Sequence, residues 1–301
     1  KDHSPGRDIM KQYAYYPGCS LESLGKSYHL STLETASRLG LELKELEDWN
    51  CCGATAYFPV DELLAYTLSA RNLAIAEKTG LEDFVAPCSA CFKNAYTTNK
   101  YLKSDPDLAE HINFALEEDH LHATGKMKVR HLIEVIIEDV GLDAVRNSVT
   151  NPLNNLKVAP YYGCQLVRPR KQDENVENPR YFEELLSALG AEPVEYGSKT
   201  RCCGASLIIT NRHAALDMVE KLLQDAVNSH AEIIATTCPM CNVNLEVYQR
   251  QVNHEFGTNY SIPVVYFTQL MGTAFGCTPK SLGINKEVIP NAIERSQVKV
   301  E

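Results

Sequence analysis

One cysteine pattern occurs twice in this chain and constrains its fold more than any other feature. In each copy a lone cysteine is followed by a Cys-Cys-Gly triplet and then by a Cys-x-x-Cys pair. The matched cysteines of the two copies are 145, 151 and 150 residues apart at these three places. The two sets are Cys19, Cys51, Cys52, Cys88 and Cys91, and Cys164, Cys202, Cys203, Cys238 and Cys241. So regular a repeat predicts two copies of one structural unit.

Predicted strands and helices alternate along both copies. Strands are predicted at 13–18, 41–46, 84–86, 157–162, 193–196, 232–236 and 264–267. Helical spacing is found at 28–39, 61–79, 105–123, 131–140, 180–189 and 211–229, and further helices begin at both Cys-x-x-Cys pairs. Asp61 and Gly80 are the cap and stop signals of the clearest of these helices. The alternation predicts an α/β protein with mainly parallel sheets.

The repeat and the alternation together predict two similar halves, an internal duplication in which each small sheet is flanked by helices. An Asn-rich stretch from Thr150 to Leu156 marks the boundary, so residues 1–150 and 151–301 are the expected domains, related by a pseudo-two-fold axis. In each half all three cysteine groups follow a predicted strand. The carboxyl ends of parallel strands meet at one edge of a sheet, where α/β proteins bind ligands. Five cysteines are therefore expected to converge in each half.

Composition excludes several functional classes. The net charge of −10 argues against a nucleic-acid partner, which requires a basic surface. No apolar run approaches the roughly 20 residues of a membrane span, and the polar segment from Lys1 to Gln12 predicts no signal peptide. The expected location is the cytoplasm, with membrane association only through partners. Five cysteines per half also make a poor disulfide framework, because one thiol is left over.

Five thiols exceed the needs of an ordinary metal site. Structural zinc and a cubane iron–sulfur cluster each take four ligands. Two adjacent thiolates fit neighbouring irons of a more open cluster better than separate corners of a cube. The glycine after each pair lets the backbone turn tightly towards a metal. The pattern favours iron–sulfur clusters, and zinc, or four ligands plus a spare thiol, remains the alternative.

The doubled pattern resembles the cysteine-rich (CCG) domain pair found in the B-type subunit of heterodisulfide reductase, over nearly the whole chain. The resemblance implies a non-cubane [4Fe-4S] cluster in each half, held by the five cysteines of that half named above. It also implies reduction of a disulfide, CoM-S-S-CoB or a related substrate, that lies between the clusters and gives one sulfur to an iron of each. Electrons would come from an iron–sulfur partner (the C-type subunit), itself fed by a flavin partner (the A-type subunit).

Two other functions remain open. The cysteine-rich subunit of an unconventional succinate dehydrogenase has the same pattern, which suggests electron transfer to a quinone or flavoprotein without disulfide cleavage. A zinc-stabilised scaffold is the other. Cys277 lies outside both sets and is expected to be a buried apolar side chain. Arg168, Arg170 and Lys171 are candidates for contact with an anionic substrate, although such charges are usually solvated.

Overall fold

The computed structural model describes residues 11–54, 57–169 and 175–284. The first half contains β1 (Gln12–Tyr15), α1 (Cys19–Glu22), α2 (Lys26–Arg38), β2 (Glu42–Glu45), α3 (Glu62–Lys78), β3 (Asp83–Ala86), α4 (Ser89–Ser104), α5 (Pro106–Leu116), a 3₁₀ turn (Glu117–Asp119), β4 (Lys128–His131), α6 (Leu132–Val135), a π-helical turn (Ile136–Val140) and α7 (Leu142–Ser148). The second contains β5 (Lys157–Tyr161), α8 (Gly163–Val167), α9 (Tyr181–Ala188), β6 (Glu192–Pro193), α10 (Arg212–Asn228), β7 (Ile233–Thr236), α11 (Pro239–Val247), α12 (Gln249–Phe256), β8 (Val264–Tyr266) and α13 (Phe267–Ala274).

Each half has one four-stranded parallel sheet, in the order β2-β1-β3-β4 and β6-β5-β7-β8. The central strands β3 and β7 are buried along their whole length, as expected where helices cover both faces of a parallel sheet. The same strand order in both halves confirms the predicted α/β duplication. The domain boundary near residue 150 stays a prediction, although the segment between α7 and β5 contains neither helix nor strand.

Local signals position the helices that frame the cysteines. The Asp61 carboxylate accepts a hydrogen bond from the Leu64 N–H at 2.9 Å, and Asn211 caps α10 in the same way through Ala214 at 3.2 Å. Gly80, at φ 74°, follows the end of α3, as predicted. Cys88 and Cys238 are themselves the N-cap residues of α4 and α11.

Several elements differ from the prediction, among them β4, α5 and β6. Strand β4 has no counterpart among the predicted strands, because Arg130 gives it a polar sequence although that side chain is buried among carboxylates. The helix predicted at 105–123 ends as α5 at Leu116, and after the 3₁₀ turn His120 adopts a left-handed conformation at φ 53°. The strand predicted at 193–196 is the two-residue β6, which pairs only with Lys157 and Val158.

The two halves pack crosswise. Helix α1 contacts α11 of the second half, and α8 contacts α4 of the first. In the same way α2 packs against α13 and α9 packs against α7. In each pair of contacts, a helix of the first half packs on the second half and its counterpart in the second half packs on the first. A pseudo-two-fold axis requires this arrangement. The ends of the strands that precede the cysteines therefore face one another at the junction.

Candidate functional site

The five cysteines of the first half lie together. The Sγ atoms of Cys19 and Cys51 are 3.7 Å apart, and those of Cys52 and Cys91 are 3.4 Å apart. Cys51 and Cys52 lie close enough to affect each other's pKa, as do Cys88 and Cys91, so the five thiols form one continuous group. We call this group the first nest. It consists of Cys19, Cys51, Cys52, Cys88 and Cys91.

The second half repeats this arrangement. Cys203 and Cys241 are 3.5 Å apart at their Sγ atoms. Cys164 and Cys202 lie close enough to affect each other's pKa, as do Cys238 and Cys241. We call this group the second nest. It consists of Cys164, Cys202, Cys203, Cys238 and Cys241. Cys88 and Cys238 each affect the pKa of the other, and the Tyr28 hydroxyl reaches the carbonyls directly before both, so the two nests meet at the junction of the halves.

A tyrosine and an asparagine hold the vicinal cysteines in each half. Tyr16 donates to the carbonyl oxygen of Asn50 at 2.8 Å, and Tyr161 donates to that of Arg201 at 2.7 Å, directly before each Cys-Cys pair. The asparagine amides then donate to the carbonyl of the second cysteine of each pair. These bonds are Asn94 to Cys52 at 3.0 Å and Asn244 to Cys203 at 2.5 Å.

These four supports were absent from the sequence prediction, although the sequence carries a signal for them. Each tyrosine lies three residues before the first cysteine of its set, and each asparagine lies three residues after the last. The repetition of both offsets in both halves distinguishes them from the other tyrosines and asparagines of the chain.

Glycines leave room beside the sulfur atoms. A Cβ on Gly18 would lie 2.7 Å from the Cys91 Sγ, and a Cβ on Gly163 would lie 3.3 Å from the Cys241 Sγ. The glycines of the Cys-Cys-Gly triplets have φ near 73° and pack against the backbone of α3 and α10. A side chain at any of these places would either push a sulfur away or strain the turn that presents it.

Cys51 is the favoured thiolate of the first nest, and both Cys202 and Cys238 have a lowered pKa in the second. Hydrogen bonds from Cys19 and Cys52, and from the Gly53 N–H, lower the pKa of Cys51 to about 2. A bond from Cys164, together with the Gly204 N–H, lowers the pKa of Cys202 to about 6. Because the thiolate is the form that binds metals, both nests present a charged ligand near neutral pH.

The nests have a buried floor and an open rim. Cys19 and Cys51 are exposed and Cys202 is half-buried, whereas the other seven members are buried. Within the described residues, no group of three or more cysteine, histidine or acidic side chains has the geometry that holds a single metal ion. The sulfurs lie instead as close pairs of free thiols spread over each nest.

The cysteine-rich domain family, named CCG, matches residues 13–94 and again 158–246. The B-type subunit of the ferredoxin/F420H2-dependent CoB-CoM heterodisulfide reductase of Methanosarcina acetivorans is 33% identical over 94% of this chain and 95% of its own length. The chain belongs to this duplicated-CCG family of heterodisulfide reductase B-type subunits. The membrane anchor subunit of the 8-methylmenaquinol:fumarate reductase of Wolinella succinogenes is also 33% identical, over 93% of this chain and 98% of its own.

A solved structure shares the fold of the family. A hypothetical protein from Helicobacter pylori superimposes with a TM-score of 0.75 over 93% of this chain and 52% of its own length, at 14% identity. In the described part of this chain, no helix has the length and apolar character needed to cross a bilayer.

The remaining candidate residues have different surroundings. Cys277 is 4% exposed and lies beside Glu34, outside both nests; burial raises its pKa to about 11. Arg168 is exposed and follows α8, with its backbone N–H donating to the Cys164 carbonyl at 3.3 Å. Arg170 and Lys171 lie outside the described residues.

Proposed function

We propose that this chain is the catalytic B-type subunit of a heterodisulfide reductase-like complex, which reduces a disulfide between two non-cubane [4Fe-4S] clusters. The observation that carries the proposal is the close approach of two five-thiol nests at Cys88 and Cys238, whose preceding carbonyls both lie at the Tyr28 hydroxyl. Two redox centres built on these nests would face the same small volume. A disulfide bond there lies within reach of both, and its reduction requires two electrons.

The residues of the nests fit clusters of this kind. Each nest offers five thiols, and its glycines keep side chains away from the sulfurs. Backbone N–H groups bond to the sulfurs of Cys51 and Cys202, as is common around iron–sulfur clusters. Zinc in one half is the alternative cofactor. It is the less well supported, because a four-coordinate ion would leave one of the five thiols of its nest without a metal.

The clusters, when bound, supply single electrons and iron positions that accept thiolate sulfur. The chain's own residues fix the geometry. Tyr16 and Asn94 in the first half, and Tyr161 and Asn244 in the second, hold the vicinal cysteines by their backbone. One disulfide, two electrons and two protons give two thiols. CoM-S-S-CoB or a related disulfide is the proposed substrate.

The proposed partners are an iron–sulfur protein like the C-type subunit of heterodisulfide reductase and a flavoprotein like its A-type subunit. The support is that the relatives are named as subunits of reductase complexes. The exposed thiols of Cys19 and Cys51 also leave the first nest accessible to an electron donor. The name of the Wolinella protein supports association with a membrane through partner subunits.

A second candidate function is electron transfer to a quinone or a flavoprotein without disulfide cleavage. The quinol-linked Wolinella relative has the same 33% identity to this chain as the Methanosarcina reductase subunit. Identity therefore favours neither function. The two functions share the clusters and differ only in whether a disulfide is consumed.

The test uses the complex purified with its partner subunits under anaerobic conditions. We expect about eight irons and about eight sulfides per chain, the content of two four-iron clusters. The reduced complex should release two thiols for every two electrons from CoM-S-S-CoB or a related disulfide. Clusters that oxidise without thiol release, but reduce a quinone, would establish the second function. Zinc in place of iron would contradict both.

A variant pair sharpens this test. Cys51→Ser removes the most acidic thiol of the first nest and should halve the iron content and abolish thiol release. Cys277→Ser is the matched control, because it makes the same exchange of cysteine for serine outside both nests. Its iron content and turnover should equal those of the unmodified complex.

A further inference from the structure

Three buried polar side chains meet at the junction of the halves. They are Ser89, directly after Cys88, Thr237, directly before Cys238, and His131, the last residue of β4. None of the three is more than 1% exposed. This cluster therefore includes a residue next to each of the two cysteines at which the nests approach each other.

The Thr237 carbonyl oxygen is the acceptor at the centre of this cluster. The Ser89 hydroxyl donates to it at 3.1 Å, and His131 Nε2 lies 3.2 Å from it. The Ile133 N–H donates to His131 Nδ1 at 3.2 Å, so Nδ1 carries no proton and the ring proton is on Nε2. The imidazole is therefore a second donor to the same carbonyl, in addition to the Tyr28 hydroxyl at 3.3 Å. All of these donors belong to the first half, and the acceptor belongs to the second.

The second half carries different side chains at the positions that match these two donors. Pro239 follows Cys238 as Ser89 follows Cys88, and it has no hydroxyl. Tyr266 matches His131, because each is in register with the residue two places before its Cys-x-x-Cys pair. The two donors are thus a feature of the junction and not of the repeated unit.

We propose that Ser89 and His131 are positioning residues for disulfide reduction, which hold Thr237 and thereby fix the separation of the two redox centres. The proposal rests on the proposed function, since it assumes a centre on each nest and a disulfide between them. The sulfurs of a disulfide are only about 2 Å apart, so a substrate that meets both centres tolerates little change in their separation. A displacement of about 1 Å can slow such a reaction about a hundredfold. Exchange of single electrons with either centre alone has no such requirement.

The experiment shortens the side chain of His131 without disturbing the helix that it caps. His131→Asn keeps an oxygen that accepts the Ile133 N–H, as asparagine does at helix N-termini, but it is too short to reach the Thr237 carbonyl. His131→Gln places an amide N–H near the position of Nε2 and should restore that bond. Ser89→Ala removes the other donor with little change in volume.

Each variant is studied as the full chain within its complex under anaerobic conditions. Two rates are compared, the release of thiols from CoM-S-S-CoB and the reduction of a one-electron dye. His131→Asn and Ser89→Ala should each lower kcat for thiol release about ten- to a hundredfold, while dye reduction and iron content stay unchanged. His131→Gln should release thiols at nearly the original rate. The electron paramagnetic resonance signals of the two centres, assigned by their loss in Cys51→Ser and Cys202→Ser, should persist in all three variants.

Ser31→Ala is the matched control. Ser31 is also a buried serine whose hydroxyl bonds across the halves, to that of Thr268 at 2.6 Å, but it lies where α2 packs on α13 and not next to a cysteine. Loss of its hydroxyl should lower the free energy of unfolding without slowing thiol release.

Normal thiol release in either His131→Asn or Ser89→Ala would overturn the role of the residue that was changed. Loss of iron, or an equal loss of thiol release and dye reduction, would assign the effect to general damage and overturn the proposal. A His131→Gln variant as slow as His131→Asn would also overturn it, because the bond to Thr237 would then not be the cause. Failure of the proposed function has a different signature, since the unmodified complex would then release no thiols or lack the iron–sulfur signals.

Discussion

Tyr28 and Tyr266 stack face to face across the junction of the two halves, with ring centroids 4.2 Å apart and planes within 4° of parallel. The Tyr28 hydroxyl also donates to the Pro87 carbonyl at 2.7 Å and approaches the Thr237 carbonyl at 3.3 Å. These two carbonyls directly precede Cys88 and Cys238. One buried side chain thus ties together the segments that bring the nests into contact.

Two substitutions of Tyr28 should distinguish the stability contributed by its stacked ring from that contributed by its hydroxyl. Tyr28→Phe keeps the ring but removes the donor to the buried Pro87 carbonyl, while the Thr237 carbonyl keeps its bond from Ser89. We therefore expect a loss of about 1–3 kcal/mol in the free energy of unfolding. Tyr28→Ala also empties the space of the ring and should cost about 3–5 kcal/mol. Denaturant unfolding of the cluster-loaded chain measures both. Tyr57→Phe, at a position 41% exposed, is the control and should change stability little. Equal stability of Tyr28→Phe and the unmodified chain would contradict the role of the hydroxyl.

The glycines beside the sulfurs give a graded prediction. Gly18→Ala places a methyl group 2.7 Å from the Cys91 Sγ and should strip most of the iron from the first centre. Gly163→Ala, at 3.3 Å from the Cys241 Sγ, should cause a smaller loss in the second. Iron analysis and the electron paramagnetic resonance signals of the two centres measure the effect.

Gly40→Ala is the matched control for both glycine variants. Gly40 has the same left-handed φ, 71°, but open space where a Cβ would lie. Because of backbone strain, Gly40→Ala should lower the free energy of unfolding by about 1–2 kcal/mol, while its iron content stays complete. Iron loss in Gly40→Ala equal to that in Gly18→Ala would assign the effect to strain instead of to contact with sulfur.

Removal of either asparagine support should lower the iron occupancy of the centre in its own half only. Asn94→Ala leaves the buried Cys52 carbonyl without its donor, which should cost about 1–3 kcal/mol and lower the iron occupancy of the first centre. Asn244→Ala should act in the same way on the second centre alone. Each variant serves as the control for the other. Loss of both signals in either variant would mean that the amide supports the whole fold.

Asp139 makes stability depend on pH. Burial alone would raise its pKa, but hydrogen bonds from Arg130, Lys11 and Tyr13 hold it below the usual range. A carboxyl whose pKa is lower in the folded chain stabilises above its unfolded pKa, near 4, and loses that contribution as pH falls further. Asp139→Asn should therefore lower the free energy of unfolding by roughly 1.5–3 kcal/mol at pH 7.

The difference between Asp139→Asn and the unmodified chain should shrink below about pH 4, in unfolding curves measured across that range. Asp143→Asn is the control, because its side chain is 94% exposed and its pair with Arg146 is screened by solvent. If Asp139→Asn lowered the free energy of unfolding by the same amount at every pH, charge would not be the cause. The loss would then come from disrupted packing around the amide.

The sequence was most informative where a local rule decides the structure. Asp61 caps its helix and the Cys-x-x-Cys pairs begin theirs because each of these signals acts within a few residues. The convergence of the cysteines was also predictable, since every group follows a parallel strand. Strand β4 was not, because Arg130 is accommodated by Asp139, nine residues later, and by Asp83, 47 residues earlier, and no local rule predicts either pairing.

Features made by contacts between the halves were outside the reach of the sequence pattern. Nothing local to Cys88 indicates that its thiol approaches Cys238, 150 residues away. The same holds for Tyr28, which has the appearance of an ordinary helix residue in the sequence. The ligand assignment of the ten cysteines stays a prediction that iron analysis will decide.

The crosswise packing of the helices has a consequence for an isolated repeat. Because α1 lies on α11 and α8 lies on α4, each repeat is covered by the other along the face that carries its thiols. An isolated segment 1–150 would leave that face bare. We therefore expect the excised repeat to pair with a second copy of itself, and light scattering should detect that dimer.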